Sequence, residues 1–314
     1  MPSLSSRGRS LHSDRWQLYI LALPLVAWLI LYAYLPLQGL IIAFQKFDPY
    51  QGMYGSEFNG LDNFARMVVG PASHDFWRAT INTITISLYS LLFGFPVPII
   101  LAILFNETKE GIFRKTVQTT SYLPHLISEV TVAAMVLTGL EINGVLNTVI
   151  EKVASWFGSE YRHISWMSEP AYFQSIYVFS GVWKEAGFSS IVFFAALVGV
   201  SPTLYEAARI DGASRLQCIW HVSLPGIIPT IVITLIIRVG NILNVGFEKI
   251  ILLYNPLTYD TADVLGTYTY RLGSSAPLDY GLSTAASLFN SVIGFALVIL
   301  TNRIARKLSE TSLW

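Results

Sequence analysis

Charged residues are scarce in this chain. Only 13% of its 314 residues are Asp, Glu, Lys or Arg, and 53% are hydrophobic, whereas about 25% of a soluble domain is charged. The single cysteine, Cys218, excludes an intrachain disulfide and any metal site built from several cysteines. The formal net charge is zero, which gives no reason to expect a nucleic-acid partner. This composition indicates an integral membrane protein.

Several catalytic motifs are also missing. The chain has no G-x-x-x-x-G-K-[ST] phosphate-binding loop, so we expect that it does not hydrolyse ATP itself. The absence of HExxH, of GxSxG and of cysteine and histidine clusters at zinc spacing weighs against a membrane protease or esterase. The sequence therefore predicts no catalytic residue, no metal site and no cofactor in this chain, and an energy source on another subunit.

Long apolar runs recur along the whole sequence. About six of them approach or exceed the roughly 20 residues that an α-helix needs to cross a bilayer. We place these spans at 18–44, 79–105, 125–140, 173–200, 227–247 and 282–304. The first is too long for a signal peptide and lacks a cleavage site of small residues, so we expect it to be retained. The longest polar connections, at 46–77, 141–172 and 248–281, are too short for a separate enzymatic domain.

The placement of lysine and arginine predicts how the spans are oriented. Basic residues are more frequent before the first span, after the second, after the fourth and after the sixth than in the other connections. By the positive-inside rule, these segments and both termini are expected in the cytoplasm. The predicted organisation is a cytoplasmic tail over 1–17, a transmembrane domain over 18–305 with a cytoplasmic loop at 203–226, and a second tail over 306–314.

A charged segment interrupts the apolar pattern between the fourth and fifth spans. It reads YEAARIDGASRLQCIWHVSLPG over 205–226. Either Ser201 followed by Pro202, or a capping box that begins at Thr203, would start a helix here. Gly212 would end that helix, because glycine accepts the left-handed conformation that closes a helix. The segment is therefore expected to fold at the membrane surface rather than to cross the bilayer.

A second short helix is expected to follow the first. Ser214 can cap its start, and Pro225 prevents it from continuing unbroken. Both helices have an apolar face at i, i+3, i+4 spacing, formed by Leu204, Ala207 and Ala208 in the first and by Leu216, Ile219 and Trp220 in the second. From these residues alone, docking of a partner protein and contact with lipid headgroups remain about equally open.

The same segment resembles a motif of known transporters. EAA at 206–208, the glycine at 212 and VSLP at 222–225 match the EAA motif of bacterial ABC-importer permeases, EAA-x3-G-x9-I-x-LP, with valine in place of isoleucine. In that family this loop forms coupling helices, which insert into a cleft of a cytoplasmic ATPase. The resemblance implies the same role for Glu206, Ala207, Ala208, Asp211, Gly212, Leu224 and Pro225.

Three further stretches narrow the resemblance, which covers nearly the whole chain. SYLPHLIS at 121–128, VWKEAGFSSIVFFAAL at 182–197 and TYTYRLG at 267–273 are similar to sugar-uptake permeases of the maltose-importer type, in the LplB-like polysaccharide branch that includes an alginate importer. The resemblance implies an all-α, type I importer permease fold in the bacterial cytoplasmic (inner) membrane. It also implies an oligosaccharide or polysaccharide cargo, including acidic sugars such as alginate or other uronate oligomers.

A permease of this type is expected to act within a complex. The resemblance implies alternating access and a set of partners: a second, similar permease, a dimer of cytoplasmic ABC ATPase subunits that binds ATP and Mg, an extracytoplasmic solute-binding protein and membrane lipid. Two other classes remain as alternatives, a polytopic membrane transferase and a secondary transporter. The coupling motif disfavours the transferase. Six spans without visible repeat halves disfavour a self-sufficient transporter.

Polar residues at membrane depth mark the predicted substrate pathway, because such residues are costly in lipid and usually line a cavity. Arg238 lies about 16 Å of helix rise into the fifth span, near the midplane. In a continuous helix, one face carries Thr234, Arg238, Asn241 and Glu248, and Asn244 lies at its border. We expect this polar stripe to face the pathway.

Lys184 and Glu185 lie at comparable depth in the fourth span, and as sequence neighbours we expect them to meet different partners. Two roles for the basic residues are open. Lys184 and Arg238 would bind a carboxylated sugar, or Arg238 would form a structural pair with Glu185 or Glu129. Aromatic and amide side chains that suit a sugar complete the predicted pathway: Trp183, Tyr89, Asn82 and Asn290.

Overall fold

The computed structural model describes residues 15–243 and 245–308, which are mostly helical. The first half contains α1 (Arg15–Leu29), α2 (Gly52–Gly55), α3 (Asp62–Val68), α4 (Ser73–Gly94), α5 (Pro96–Glu107), α6 (Ile112–Tyr122), α7 (Glu129–Leu140) and α8 (Val145–Trp156). The second half contains α9 (Pro170–Val198), α10 (Pro202–Ile210), α11 (Arg215–Cys218), α12 (Leu224–Gly226), α13 (Ile228–Gly240), α14 (Phe247–Leu253), α15 (Tyr259–Ala262), α16 (Leu265–Ser274) and α17 (Tyr280–Leu308).

Shorter elements connect these helices. The chain forms π-helical turns at Ile30–Tyr34 and Ile219–Ser223 and 3-10 turns at Leu35–Phe44, Leu123–Leu126 and Trp166–Ser168. Strand β1 (Gln45–Lys46) pairs antiparallel with β2 (Glu57–Phe58), with Gln45 opposite Phe58. This hairpin follows directly on the first long helical stretch.

Five helical stretches of the described chain are long and apolar enough to cross a membrane: Leu18–Phe44, Ser73–Glu107, Glu129–Trp156, Pro170–Val198 and Tyr280–Arg303. A sixth is present if Arg215–Gly226 and Ile228–Gly240, which meet at a bend of 60°, count as one span. The prediction of an all-α, polytopic membrane protein with about six spans is confirmed.

The third predicted span, 125–140, is shorter than the helical stretch found there. That stretch continues through a break at 141–144 into α8. The Nδ2 of Asn147 donates hydrogen bonds to the carbonyl oxygens of Glu141 and Ile142, at 3.0 and 3.1 Å. This side chain therefore bonds two carbonyls of the break itself, which helps to hold its conformation.

The fifth predicted span, 227–247, is not one continuous helix. Helix α13 ends at Gly240, and α14 begins only at Phe247. Glycine weakens the end of α13, and the side chain of Asn241 donates to the carbonyl of Ile237 at 3.0 Å, which caps it. The prediction that the residues of the polar stripe share one face of a single helix is therefore wrong. Asn244 lies outside the described residues.

Helix α9 lies at the centre of the bundle and packs against α4, α5, α6 and α13. Its contact with the end of α6 requires a residue without a side chain, since a Cβ on Gly187 would lie 1.9 Å from the carbonyl oxygen of Ser121. Three clusters form the core, around Phe173 and Ile250, around Phe76 and Tyr268, and around Phe193 and Ile227. By contrast, no residue of the most apolar part of Leu18–Phe44 is buried in the described structure.

A buried carboxylate organises the connection between α13 and α17. Asp263 is fully buried and accepts two hydrogen bonds from the guanidinium of Arg271, at 2.9 and 2.6 Å. These hydrogen bonds raise the pKa of Arg271 above its ordinary value. Burial raises the pKa of the neighbouring Tyr268 to about 12. Both side chains thus keep their ordinary protonation states at neutral pH, and the connection has a fixed structure.

Candidate functional site

Residues 201–226, which we call the surface segment, fold as the sequence predicts. Of the two predicted starts, the structure uses Ser201 as the N-cap and Pro202 as the first residue of α10. Gly212 adopts a φ of +81°, in the left-handed region, just past the end of that helix. Ser214 then caps α11 through a capping box with Gln217. Both helices begin, and the first ends, where the sequence predicts, although the side chain of Ser201 makes no capping hydrogen bond to α10.

The helices of the surface segment are joined to each other and to the membrane bundle. The hydroxyls of Tyr205 on α10 and Ser223 in the π-helical turn lie 3.0 Å apart and share a hydrogen bond. The chain then bends by 60° between α12 and α13. A Cβ on Gly226 would lie 2.7 Å from the side chain of Val200, so the segment packs closely against the end of the fourth span.

The outer side of the surface segment combines exposed apolar residues with unpaired charges. The large apolar side chains with more than half of their surface exposed are Leu204, Ile210, Leu216 and Trp220. The exposed charged residues are Glu206, Arg209, Asp211 and Arg215. None of these four forms a salt bridge within the described residues. Apolar side chains with a polar rim are typical of a surface that a partner protein covers.

A cavity of about 560 Å³, which we call the charged cavity, is lined by residues of α4, α7, α9, α13, α14, α16 and α17. The charged and polar residues that line it include Glu129, Tyr177, Lys184, Glu185, Arg238, Glu248, Lys249 and Asn290. Five of these belong to the predicted pathway: Lys184, Glu185, Arg238, Glu248 and Asn290. Sequence reasoning assigned no pathway role to Tyr177 or Lys249.

Lys184 is buried and bound to two carboxylates. Its Nζ donates to Oε1 of Glu129 at 2.7 Å and lies 3.4 Å from Oε1 of Glu185. The other oxygen of Glu185 is 3.0 Å from Nδ1 of His125, whose ring stacks on Phe188. Lys184 and Glu185 thus meet different partners, Glu129 and His125, as expected, but their side chains also converge on each other, which was not expected. These contacts tie α7 and the turn at Leu123–Leu126 to α9.

Arg238 forms no salt bridge within the described chain. The pairing with Glu129 or Glu185 that the sequence left open is absent, because both carboxylates bind Lys184 instead. The Nη1 of Arg238 donates to the carbonyl oxygen of Gly94 at 2.8 Å. That carbonyl lacks its usual helical donor because residue 98 is a proline, which has no backbone N–H. A proline in one span thus positions the arginine of another.

Lys249 is the second cation of the cavity that has no carboxylate partner among the residues that the structure describes. It is only 6% exposed, and its Nζ donates to the carbonyl oxygen of Tyr177 at 2.8 Å. The ammonium also lies 4.7 Å from the centre of the Tyr177 ring, a cation–π contact. The break between α13 and α14 brings Lys249 beside α9.

Four predicted pathway residues do not line the charged cavity. Asn82 donates to the carbonyl oxygens of Asp260 and Asp263, at 2.9 and 3.0 Å, and so holds the connection after α14 against α4. The other three are exposed: Trp183 on α9, Tyr89, whose ring contacts Phe93, and Asn241, which lines two smaller cavities beside Arg238. The residue type and its depth in a span therefore did not predict which face of the helix points into the bundle.

The chain is similar to curated transport proteins over nearly its whole length. Protein LplB of Bacillus subtilis (strain 168) is 37% identical over 306 residues, which cover 97% of this chain and 93% of LplB. YteP of the same strain, named a polygalacturonan/rhamnogalacturonan transport system permease protein, is 38% identical over 297 residues, which cover 95% of this chain and 90% of YteP.

A solved structure has the same fold. A chain from the crystal structure of a bacterial alginate ABC transporter, in complex with an alginate pentasaccharide-bound periplasmic protein, superposes with a TM-score of 0.85. It is 43% identical, and the match covers 96% of this chain and 97% of that chain. Residues 94–310 match the family model described as binding-protein-dependent transport system inner membrane component. The chain belongs to this family, as the motif at 206–225 implied, and is a multi-pass permease of the inner membrane.

Proposed function

We propose that this chain is a permease subunit of an ATP-driven importer of oligosaccharides or polysaccharides. In this proposal the surface segment is cytoplasmic and docks on an ABC ATPase. The observation that carries the proposal is the outer side of that segment, where Leu204, Leu216 and Trp220 are exposed beside unpaired charges. An apolar surface of this kind is stabilised when a partner covers it. The EAA residues at 206–208 lie within it.

The surface segment is built to move as a unit with the membrane helices. It follows directly on α9 and leads through α12 into α13. Helices α9 and α13 both line the charged cavity. A displacement of the segment by an ATPase would therefore reach Lys184 on α9 and Arg238 on α13. Alternating access then requires only that the two helices shift between two arrangements, with ATP binding and hydrolysis favouring one over the other.

The relatives support an acidic cargo and a multisubunit assembly. YteP is named for polygalacturonan and rhamnogalacturonan, and the solved relative for alginate and its periplasmic protein. We extend to this chain a second permease, two ATPase subunits that bind ATP and Mg, and an extracytoplasmic binding protein. The exposed apolar part of Leu18–Phe44 would then lie against lipid or the second permease. Both termini would be cytoplasmic.

A charge reversal in the surface segment tests the docking role. The complete complex, purified and reconstituted in liposomes, is assayed for ATP hydrolysis stimulated by its loaded binding protein. Glu206→Lys is expected to reduce this stimulation at least about tenfold, because a like charge placed in a docked surface costs several kcal/mol. Glu160→Lys makes the same charge change at an exposed site between α8 and α9 and is the matched control. Full stimulation in the Glu206 variant would reject the docking role.

A further inference from the structure

The charged cavity contains three cations, and they are not equivalent. Lys184 is neutralised by Glu129 and Glu185. Arg238 and Lys249 bind only backbone carbonyl oxygens, of Gly94 and Tyr177 respectively, and neither forms a salt bridge within the described residues. A carbonyl oxygen carries only a partial charge. Neither side chain has a carboxylate of the described chain in contact with it, and the carboxylates of Glu129 and Glu185 act on the two cations only from a distance.

Glycines open both cations to the cavity. A Cβ on Gly181 would lie 3.2 Å from Nζ of Lys249, and a Cβ on Gly94 would lie 3.5 Å from Nη2 of Arg238. Both glycines line the same cavity. Because neither position has a side chain, a ligand there can approach the ammonium and the guanidinium directly. A buried cation without a counter-ion is costly, and at membrane depth such residues are characteristic of substrate pathways.

The cavity also offers hydrogen-bond acceptors that no donor uses. Oε2 of Glu129 and Oδ1 of Asn290 are buried and accept no hydrogen bond within the described chain. The exposed carboxylate of Glu248 lines the same wall. Buried acceptors without donors are rare in proteins, so these two atoms are available to a hydrogen-bond donor that enters the cavity. Hydroxyl groups of a sugar would supply such donors.

We propose that Lys249 and Arg238 together bind the carboxylates of an acidic oligosaccharide, and that Lys249 determines selectivity for uronic acid units over neutral sugars. Glu129 and Asn290 accept hydrogen bonds from the hydroxyls of the same chain. Lys184 has no direct role in binding the carboxylates, since its charge is already compensated. This inference rests on the proposed function, because it names the cargo chemistry that the charged cavity selects.

Direct binding to the purified complex in detergent, without the binding protein, tests this inference. The probes are tetragalacturonate and tetramannuronate, each compared with its fully methyl-esterified, neutral form. In the wild type, at least one acidic probe is expected to bind more tightly than its ester. Lys249→Met should weaken binding of that acidic probe about tenfold or more, because it removes a charge-assisted hydrogen bond. The ester should lose less than about threefold.

Two further variants separate selectivity from folding. Lys249→Arg retains the charge and should restore most of the preference for the acidic probe. Lys152→Met removes a charge from an exposed site on α8 and should leave both dissociation constants unchanged. The inference is overturned if the wild type shows no preference for either acidic probe, or if Lys249→Met weakens acid and ester equally. Neither result bears on the ATPase measurement with Glu206→Lys, so the proposed function is tested separately.

Discussion

The surface segment and the charged cavity both carry charged residues, but these residues differ in exposure and in their partners. In the surface segment Glu206, Arg209 and Asp211 are exposed and unpaired within the described residues. In the cavity Lys184 and Lys249 are buried, one against carboxylates and the other against a carbonyl oxygen. Exposed charges cost little before a partner arrives, whereas a buried charge is costly unless an opposite charge or a hydrogen bond stabilises it.

The two regions should therefore depend on different features of the chain. The surface segment should depend on its backbone conformation, and the charged cavity on its charged side chains. In the proposed docking role, the directions of α10 and α11 matter, and Gly212 and the hydroxyl pair of Tyr205 and Ser223 fix those directions. In the proposed binding role, what matters is which cation has no carboxylate partner, and contacts between distant helices determine that. A backbone change should therefore damage the segment most, and a charge change should damage the cavity most.

The largest effect is expected for Gly212→Pro. Proline requires a φ near −65°, whereas Gly212 has a φ of +81°, so α11 cannot keep its direction. Binding-protein-stimulated ATP hydrolysis should fall to its unstimulated rate while the chain still inserts into the membrane. Gly212→Asn is the matched control, because asparagine tolerates the left-handed region, and it should retain most of the stimulation. Equal activity of the proline variant and the wild type would show that this turn does not orient the segment.

A second prediction concerns the neutralised lysine of the cavity. Lys184→Met leaves the carboxylates of Glu129 and Glu185 without their cation, and loss of one partner of a buried pair costs about 3–5 kcal/mol. Because both carboxylates are partly exposed, we expect the lower end of that range. Thermal unfolding of the purified complex reports the loss as a lower midpoint.

The matched control for this prediction adds Glu129→Gln to the Lys184→Met chain. Removing one unpaired carboxylate should raise the midpoint of thermal unfolding part of the way back to the wild-type value, because fewer charges without a partner remain. If Lys184→Met alone does not lower the midpoint, the pair is not structural. The proposed difference between a structural Lys184 and a substrate-selecting Lys249 would then have no support.

A third, smaller effect is expected for Arg238→Gln. Glutamine can still donate to the carbonyl of Gly94, but it removes the charge. Uptake of tetragalacturonate or tetramannuronate by reconstituted liposomes, whichever the wild type carries, should fall about tenfold, the scale of one charge-assisted hydrogen bond. Recovery of the intact complex by size-exclusion chromatography should not change. Equal losses of assembly and uptake would instead favour a structural role for the guanidinium.

The surface segment could be predicted from sequence because its signals are local. Pro202, Gly212 and Ser214 each act within one helical turn, and the structure places each of them where the sequence predicts, at the start of α10, just past its end and at the start of α11. The count of about six spans could be predicted for a similar reason, since each span is one apolar run.

The cavity could not be predicted in the same way, because its contacts join residues far apart in the chain. Lys184 and Glu129 meet only when α7 packs on α9, and the sequence around either residue does not predict this salt bridge. The position of Lys249 depends on the break after Gly240, which a continuous apolar pattern conceals. One signal was available, since Pro98 leaves the carbonyl of Gly94 without a donor and so predicts that another group will bind it.

The smallest effect is expected for Tyr205→Phe, which removes one hydroxyl from the link between α10 and the π-helical turn at Ile219–Ser223. The buried hydroxyl of Ser223 then loses its partner, at a cost of about 1 kcal/mol. Since Gly212 and the capping box at Ser214 remain, the helices should form but hold their mutual angle less tightly. We expect binding-protein-stimulated ATP hydrolysis to fall about twofold, and Tyr205→Phe with Ser223→Ala to recover part of it, because no unpaired hydroxyl remains. A loss as large as that of Gly212→Pro would mean that side-chain contacts, rather than the backbone turn, orient the surface segment.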